Sequence, residues 1–506
     1  MKTRLALVLL ALSAAAFSQT AKKPKLVVAI AVDQFRYDYL TRFRKEYTAG
    51  FDRLLTKGAV FTMARYEQFP TVTAIGHSTF MSGATPSISG IVGNDWYDRD
   101  SGKQVTSVAD ENVKILGGAG EGGASPRRLL VSTLGDEMRT ADAQARVIGV
   151  SLKDRSAILP AGHMANGAFW FDGKSGNFVS SSFYFPDLPG WVKDFNASHP
   201  ADKYAGSDWM GHKFGSGEQL YAKVPASPWG NELIEAFAER AIQSEQLGQR
   251  AATDLLTVSF SSNDYIGHEL GPDSPEVRDI SIRTDRVLGK LFGFLEQKVG
   301  MQNVLIVLTA DHGVAPLPET SVQRKMPGGR MPPGIIQSTV QNALTQKYGA
   351  GKWISSPSEH SLYLNWDLIK EKKLDRAEVD RIAADSLQSL PHIFRVYTRE
   401  RLMNGGTLED HVGRLVMNGF YVRRGADVYV LLEPYWLFSQ KGTTHGTTFN
   451  YDTHVPVMFM GPGIKAGRYN QSIAINDIAP TLAVLLGVEM PSGSVGRVLT
   501  EILAAD

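Results

Sequence analysis

Leu255-Leu-Thr-Val-Ser-Phe260, opening into Ser-Ser-Asn-Asp264-Tyr-Ile-Gly-His268, and Val304-Leu-Ile-Val-Leu308, opening into Thr-Ala-Asp311-His312-Gly313, are two apolar runs that each end in an aspartate and a histidine. Between them Ile280, Val287, Leu288, Leu291, Phe292 and Leu295 recur at helical spacing. Strand, helix and strand in that order predict a right-handed parallel crossover. Both Asp–His endings then lie on one edge of one sheet, which is where open α/β folds place their ligands.

Working outward, Leu26 to Val32 is a third apolar run, this one uninterrupted and followed by Asp33, as expected of a strand buried on both faces of a parallel sheet. Tyr37 to Leu55 follows with a helical pattern. Arg146 to Ser151 is a further short strand, followed by Leu152-Lys153-Asp154-Arg155, where an extended backbone puts Lys153 and Arg155 on one side. The fold class implied is α/β, a mostly parallel central sheet sandwiched by helices. Two stretches change character and read as insertions. About 160–235 holds the hairpin signal Asp172-Gly-Lys-Ser-Gly176 between aromatic runs, and about 315–440 is irregular, with the strand Val428 to Leu432. Gly173-Lys174-Ser175 imitates the end of a phosphate-binding loop, but Ala168 stands where its first glycine belongs.

Composition narrows the function. The chain has 506 residues, 43% of them apolar, a net charge of +1 and no cysteine. Thiolate chemistry is excluded, and near-neutrality gives no general nucleic-acid surface. Met1-Lys-Thr-Arg4 followed by the apolar run Leu5 to Phe17 reads as a signal peptide over 1–18, cleaved after Ala16-Phe-Ser18. The mature chain, 19–506, is then one α/β domain with the two insertions, exported to the periplasm or the medium. No later stretch has transmembrane length.

The metal-ligand candidates are Asp33, Asp264, His268, Asp311, His312 and His445. Three aspartates and three histidines divide into two sites of three protein ligands, the pattern of catalytic zinc, although manganese or iron also suits such donors. Two metals about 4 Å apart suit in-line displacement at phosphorus. Thr71, Thr73 and Ser78, around the start of a helix-like run, are candidates for the nucleophile. Asn94, Lys153 and Arg155 are candidates for the non-bridging oxygens.

Taken in order, Val-Asp33, Pro70-Thr-x-Thr73-x-x-Gly-His77, Gly93-Asn94, Ser-x-Asn-Asp264-x-x-Gly-His268, Thr-Ala-Asp311-His312-Gly313 and Thr-His445-Gly446 resemble the alkaline phosphatase superfamily. The similarity is greatest to its secreted bacterial phosphatases that use a threonine nucleophile, relatives of the nucleotide pyrophosphatases/phosphodiesterases. The resemblance implies two zinc ions per chain. One would be held by Asp264, His268 and His445, the other by Asp33, Asp311 and His312, with Thr73 joining it as nucleophile. It also implies that Asn94 contacts a phosphate oxygen and that Lys153 and Arg155 mark the monoesterase branch. The activity implied is hydrolysis of small phosphate monoesters through a phosphothreonine, releasing inorganic phosphate; a phosphodiesterase or nucleotide pyrophosphatase is the alternative. His77, His163 and His454 receive no role.

Overall fold

The computed structural model describes residues 23–504 apart from 121, 359 and 406–409, so the signal-peptide segment lies outside the described residues. The principal elements begin with β1 (Leu26–Val32), α1 (Gly50–Lys57), β2 (Ala59–Arg65), α2 (Thr73–Ser82) and β3 (Ile115–Leu116). Next come α3 (Leu134–Ala141), β4 (Val147–Ser151), α4 (Asp154–Ala161), β5 (Gly167–Asp172), β6 (Asn177–Ser181) and α5 (Pro228–Ser244). The opening stretch supplies β7 (Asp254–Phe260), α6 (Ser262–Leu270), α7 (Pro275–Lys298) and β8 (Val304–Thr309). Then follow α8 (Ile335–Tyr348), β9 (Ile354–Pro357), β10 (Ser361–Leu364), α9 (Arg376–Gln388), β11 (Ile393–Thr398) and β12 (Val428–Leu432). The chain closes with β13 (Val457–Met460), β14 (Gly467–Ala474) and α10 (Ile478–Leu486).

The central sheet has ten strands in the order β14-β2-β13-β8-β1-β7-β4-β5-β6-β3. From β8 to β5 neighbours run parallel, and β1 is paired on both sides, with Leu26 opposite Asp254 and Val304. The runs Leu255–Phe260 and Val304–Leu308 are therefore parallel strands of one sheet, with β1 lying between them. Helices cover both faces. Gly149 of β4 faces α4, where a Cβ would stand 2.1 Å from the Ala157 carbonyl. Phe169, in register with Val150, packs on Phe237 of α5 with ring centroids 5.5 Å apart. Successive residues of a strand point to opposite faces, so α4 and α5 lie on opposite sides of the sheet.

Tyr37 to Leu55 departs from the single helix expected. It breaks into a helix at Tyr37–Arg42, a tight turn at Arg44–Glu46, and α1. The cause lies in α7. The buried Asp285 carboxylate accepts from the N–H groups of Thr48, Ala49 and Phe51 at 2.9, 2.9 and 2.7 Å. It thereby caps α1, whose own N-cap, Ala49, has no side-chain acceptor. Gly50 permits the approach, since a Cβ there would lie 2.2 Å from that of Leu288.

The stretch about 160–235 is tied into the main sheet. Its hairpin forms, with Asp172 opposite Asn177, and β5 and β6 extend the central sheet. The stretch about 315–440 carries its own four-stranded sheet, β9-β10-β12-β11, over a core that includes Val340, Leu344, Trp353, Leu362, Val379 and Val430. Asp427 ties this sheet to the body, accepting from Leu364 N–H at 2.7 Å, from Arg99 at 2.6 Å and from the Trp366 indole at 3.0 Å. Arg99 and Arg376 each lie over the Trp366 ring, at 3.7 and 3.9 Å from its centroid.

Asp380, 2% exposed on α9, faces this cluster with its Oδ1 unpartnered. Burial, with a smaller push from Asp427, raises its pKa to about 8, while Arg376 and Arg399 oppose the shift. An aspartate titrates near 3.9 when unfolded, so the folded chain binds the extra proton between about pH 4 and pH 8. This contribution to stability is therefore fully present at low pH and is lost as pH rises through about 8. Asp380→Asn is expected to raise the melting temperature relative to wild type more at pH 8.5 than at pH 5; an equal difference at both would contradict the assignment.

Candidate metal centre and nucleophile

Asp311, Asp33 and Asp264 follow β8, β1 and β7, three adjacent strands, and so arrive together at one sheet edge. All are buried, at 1, 0 and 4% exposure. On α6 the spacing of four residues returns His268 to the face of Asp264, with Nε2 3.3 Å from Asp264 Oδ1. His445 comes from a loop pinned to α6 by Thr443 N–H donating to the His268 carbonyl at 2.8 Å. Its Nε2 lies 3.9 Å from Asp264 Oδ1, and its ring stacks on His312 at 3.5 Å. Asp264, His268 and His445 thus bring ligand-type atoms within 4.8 Å of one another, and so do Asp33, Asp311 and His77.

The second group holds His77 where His312 was expected, and hydrogen bonding distinguishes the two imidazoles. A ligand histidine must aim a lone pair at the metal while its other ring nitrogen donates elsewhere. His268, His312 and His445 meet this condition. Their Nδ1 atoms lie 2.9, 2.9 and 2.7 Å from the carbonyls of Thr443, Gly313 and Thr71, leaving each Nε2 for the centre. His77 does not meet it, because its Nδ1 faces the Thr73 carbonyl and its Nε2 faces Ser259 Oγ, each at 3.0 Å. His312 therefore fits as the ligand, and His77 stands behind the site.

The surroundings favour a cation. Asp311 Oδ2 is buried without a hydrogen bond, and His312 Nε2 lies 3.2 Å from it. Burial works to lower the His312 pKa, yet the Asp311 carboxylate outweighs it and pushes the value up to about 9. Lys153 ends β4's loop with its Nζ 2.6 Å from Asp264 Oδ2 and 3.1 Å from Asp33 Oδ2. Burial opposes its charge, but those two carboxylates hold its pKa above the ordinary lysine range. Arg155, the second residue of α4, has Nη1 3.7 Å from Asp154 and a buried Nε without a partner.

Geometry also separates the three hydroxyls that the sequence left open. Thr71 Oγ1 donates to the Thr447 carbonyl at 2.9 Å, and Ser78 Oγ to the Ile75 carbonyl at 3.0 Å. Thr73 Oγ1, at the first turn of the fully buried α2, lies 3.3 Å from His312 Nε2. Asn94 Oδ1 accepts from Ala74 N–H at 2.8 Å, so its Nδ2 carries the free donors. Gly76 lets α2 reach the centre, because a Cβ there would lie 2.2 Å from the Asp311 carbonyl. His163 and His454 lie elsewhere, against Leu129 and Asp136, and against Thr62 and Tyr37, respectively.

Sequence reasoning missed Gln34 and Ser259. Gln34 N–H donates to Asp311 Oδ1 at 2.9 Å and its Nε2 to Asp264 Oδ1 at 2.7 Å, joining the two ligand sets. It adopts φ +60°, and a Cβ on Gly267 would lie 1.9 Å from its Oε1. Adjacency to Asp33 was its sole signal.

With this geometry in view, comparison with known proteins places the chain. The profile of the Type I phosphodiesterase / nucleotide pyrophosphatase family matches residues 27–455, and the chain belongs to that family. It is 38% identical to the alkaline phosphatase PhoV of Synechococcus elongatus, over 96% of this chain and 94% of that one. It is 37% identical to the alkaline phosphatase PafA of Elizabethkingia meningoseptica, over 95% of each. The crystal structure of wild-type PafA superposes with a TM-score of 0.90 at 36% identity, covering 96% of this chain and all of that one.

Glycine accepts φ +60° without the cost of about 1 kcal/mol or more that a side chain incurs. Gln34→Gly is therefore expected to melt above Gln34→Ala, while both bind divalent metal about tenfold more weakly than wild type. Unchanged metal affinity in both, measured by chelator competition, would contradict the bridging role.

Proposed function

We propose that the chain is an exported, zinc-dependent phosphate monoester hydrolase with Thr73 as its nucleophile. The observation that carries this reading is the convergence of Thr73 Oγ1 with three imidazole Nε2 atoms and three buried carboxylates at one sheet edge. Asp264, His268 and His445 would hold one zinc, and Asp33, Asp311, His312 and Thr73 the other. The ions would supply Lewis acidity, lowering the pKa of an attacking oxygen and neutralising charge on a departing one.

Thr73 Oγ1 attacks phosphorus in line and the alcohol departs, leaving a phosphothreonine; water then cleaves the new bond and releases inorganic phosphate. Asn94 Nδ2, Lys153 and Arg155 meet the charge on the equatorial oxygens. The basic start and apolar run over 1–18 support export, and among the described residues no helix is long and apolar enough to cross a membrane.

The family's name gives phosphodiester hydrolysis as the second reading. A monoester dianion carries one more negative charge than a diester, so Lys153 and Arg155 favour the monoester. Wild type is expected to show a higher kcat/KM on an aryl phosphate than on a bis-aryl phosphate. Lys153→Ala with Arg155→Ala should shrink that ratio at least tenfold, since hydrogen bonds to charged groups contribute about 1.5–3 kcal/mol each. Thr73→Ala should abolish both turnover and the acid-trapped phosphoenzyme. Equal losses on both esters, or phosphate trapped away from Thr73, would overturn the reading.

A further inference from the structure

His77 is buried at 1% exposure, one turn along α2 from Thr73, and the mechanism above gives it no part. Its Nδ1 lies 3.0 Å from the Thr73 carbonyl oxygen, which has no proton to give, so Nδ1–H donates. On the other side, Nε2 lies 3.0 Å from Ser259 Oγ, and Ser259 Oγ lies 2.6 Å from Asp33 Oδ1. An ionised carboxylate only accepts, so the Ser259 hydroxyl donates to Asp33, and His77 Nε2 lies against that same hydroxyl oxygen. The ring edge also faces two ligand carboxylates, at 3.5 Å from Asp33 Oδ1 and 3.6 Å from Asp311 Oδ2. One side chain thus connects the backbone of the nucleophile to the carboxylate of a metal ligand.

We infer that His77 is a positioning residue. Through Ser259 it fixes the orientation of Asp33, and through the Thr73 carbonyl it fixes the first turn of α2. Hydroxyl and ligand set are thereby held in mutual register. The inference rests on the functional reading above, in that it takes Thr73 as nucleophile and Asp33 as ligand. The chemistry requires this kind of support, since a misplacement of about 1 Å in a reacting group can cost about a hundredfold in rate. Outer partners of ligands, when removed, typically cost about 10–100-fold in metal affinity or activity.

The two arms can be cut separately in the full mature chain. Ser259→Ala removes the link to Asp33. His77→Asn keeps an amide donor where Nδ1 stood and loses the contact to Ser259, whereas His77→Gln keeps a polar group near Nε2 and loses the Thr73 arm. Zinc affinity is read by competition with a chromophoric chelator, and kcat and KM on an aryl phosphate are read at saturating zinc. Ser259→Ala and His77→Asn should each weaken zinc binding about 10–100-fold, and the double variant should be no weaker than either alone. His77→Gln should keep zinc affinity within about threefold and lose at least about tenfold in kcat with KM little changed.

Zinc affinity and kcat within twofold of wild type across the variants, or additive losses in the double variant, would overturn the inference. If the His77 variants do not fold, Ser259→Ala decides alone, and unaltered zinc affinity there overturns it. A wild-type chain that binds no zinc fails the functional reading itself, and this inference with it.

Discussion

Asp33, Asp264 and Asp311 are buried carboxylates delivered to one place by adjacent parallel strands, and the rest of the centre is organised by the need to compensate them. A buried ionised carboxylate is costly unless it is paired and hydrogen-bonded. Here Asp33 and Asp264 each accept two hydrogen bonds, and Asp311 accepts one at Oδ1 while its Oδ2 is left for the centre. Lys153 spans Asp33 and Asp264, Gln34 spans Asp264 and Asp311, and Ser259 donates to Asp33. Three imidazole nitrogens still face the same space. What remains is a concentration of negative charge and lone pairs in a low-dielectric site, suited to divalent cations and, through them, to an anionic substrate.

The backbone carries the same logic outward. Asp285 caps α1 from α7, and Gly76 brings α2 against Asp311, so helices on both faces are placed by close contact rather than by long side chains. Lys153 stands at the N-cap of α4, directly after β4, so one more strand end of the parallel sheet contributes to the centre. Four neighbouring strands, β8, β1, β7 and β4, therefore each deliver a charged residue to a common edge, as expected where open α/β sheets bind ligands.

Much of this was legible in the sequence. Largely apolar runs followed by Asp33, Asp264 and Asp311 marked the strand ends, because a strand buried on both faces has no alternation to obscure it. The Asp264–His268 spacing is a helical repeat and the Asp311-His312 pair is local, so both announced themselves. Other features depended on register between distant strands. Ser259 reads, like Thr257, as a polar residue within a mostly apolar run; only the pairing of β1 with β7 puts it beside Asp33. The break between Tyr37 and Leu55 was invisible for the same reason, since its cause, Asp285, lies far along the chain. The hairpin at Asp172-Gly-Lys-Ser-Gly176 was legible as a turn, but nothing local says that its strands extend the central sheet.

Anomalous diffraction at the zinc edge from crystals grown with zinc tests the central claim most directly. The account predicts two peaks per chain, one among Asp264, His268 and His445, the other among Asp33, Asp311, His312 and the Thr73 hydroxyl. A single peak, or a second peak ligated by His77 in place of His312, would contradict it.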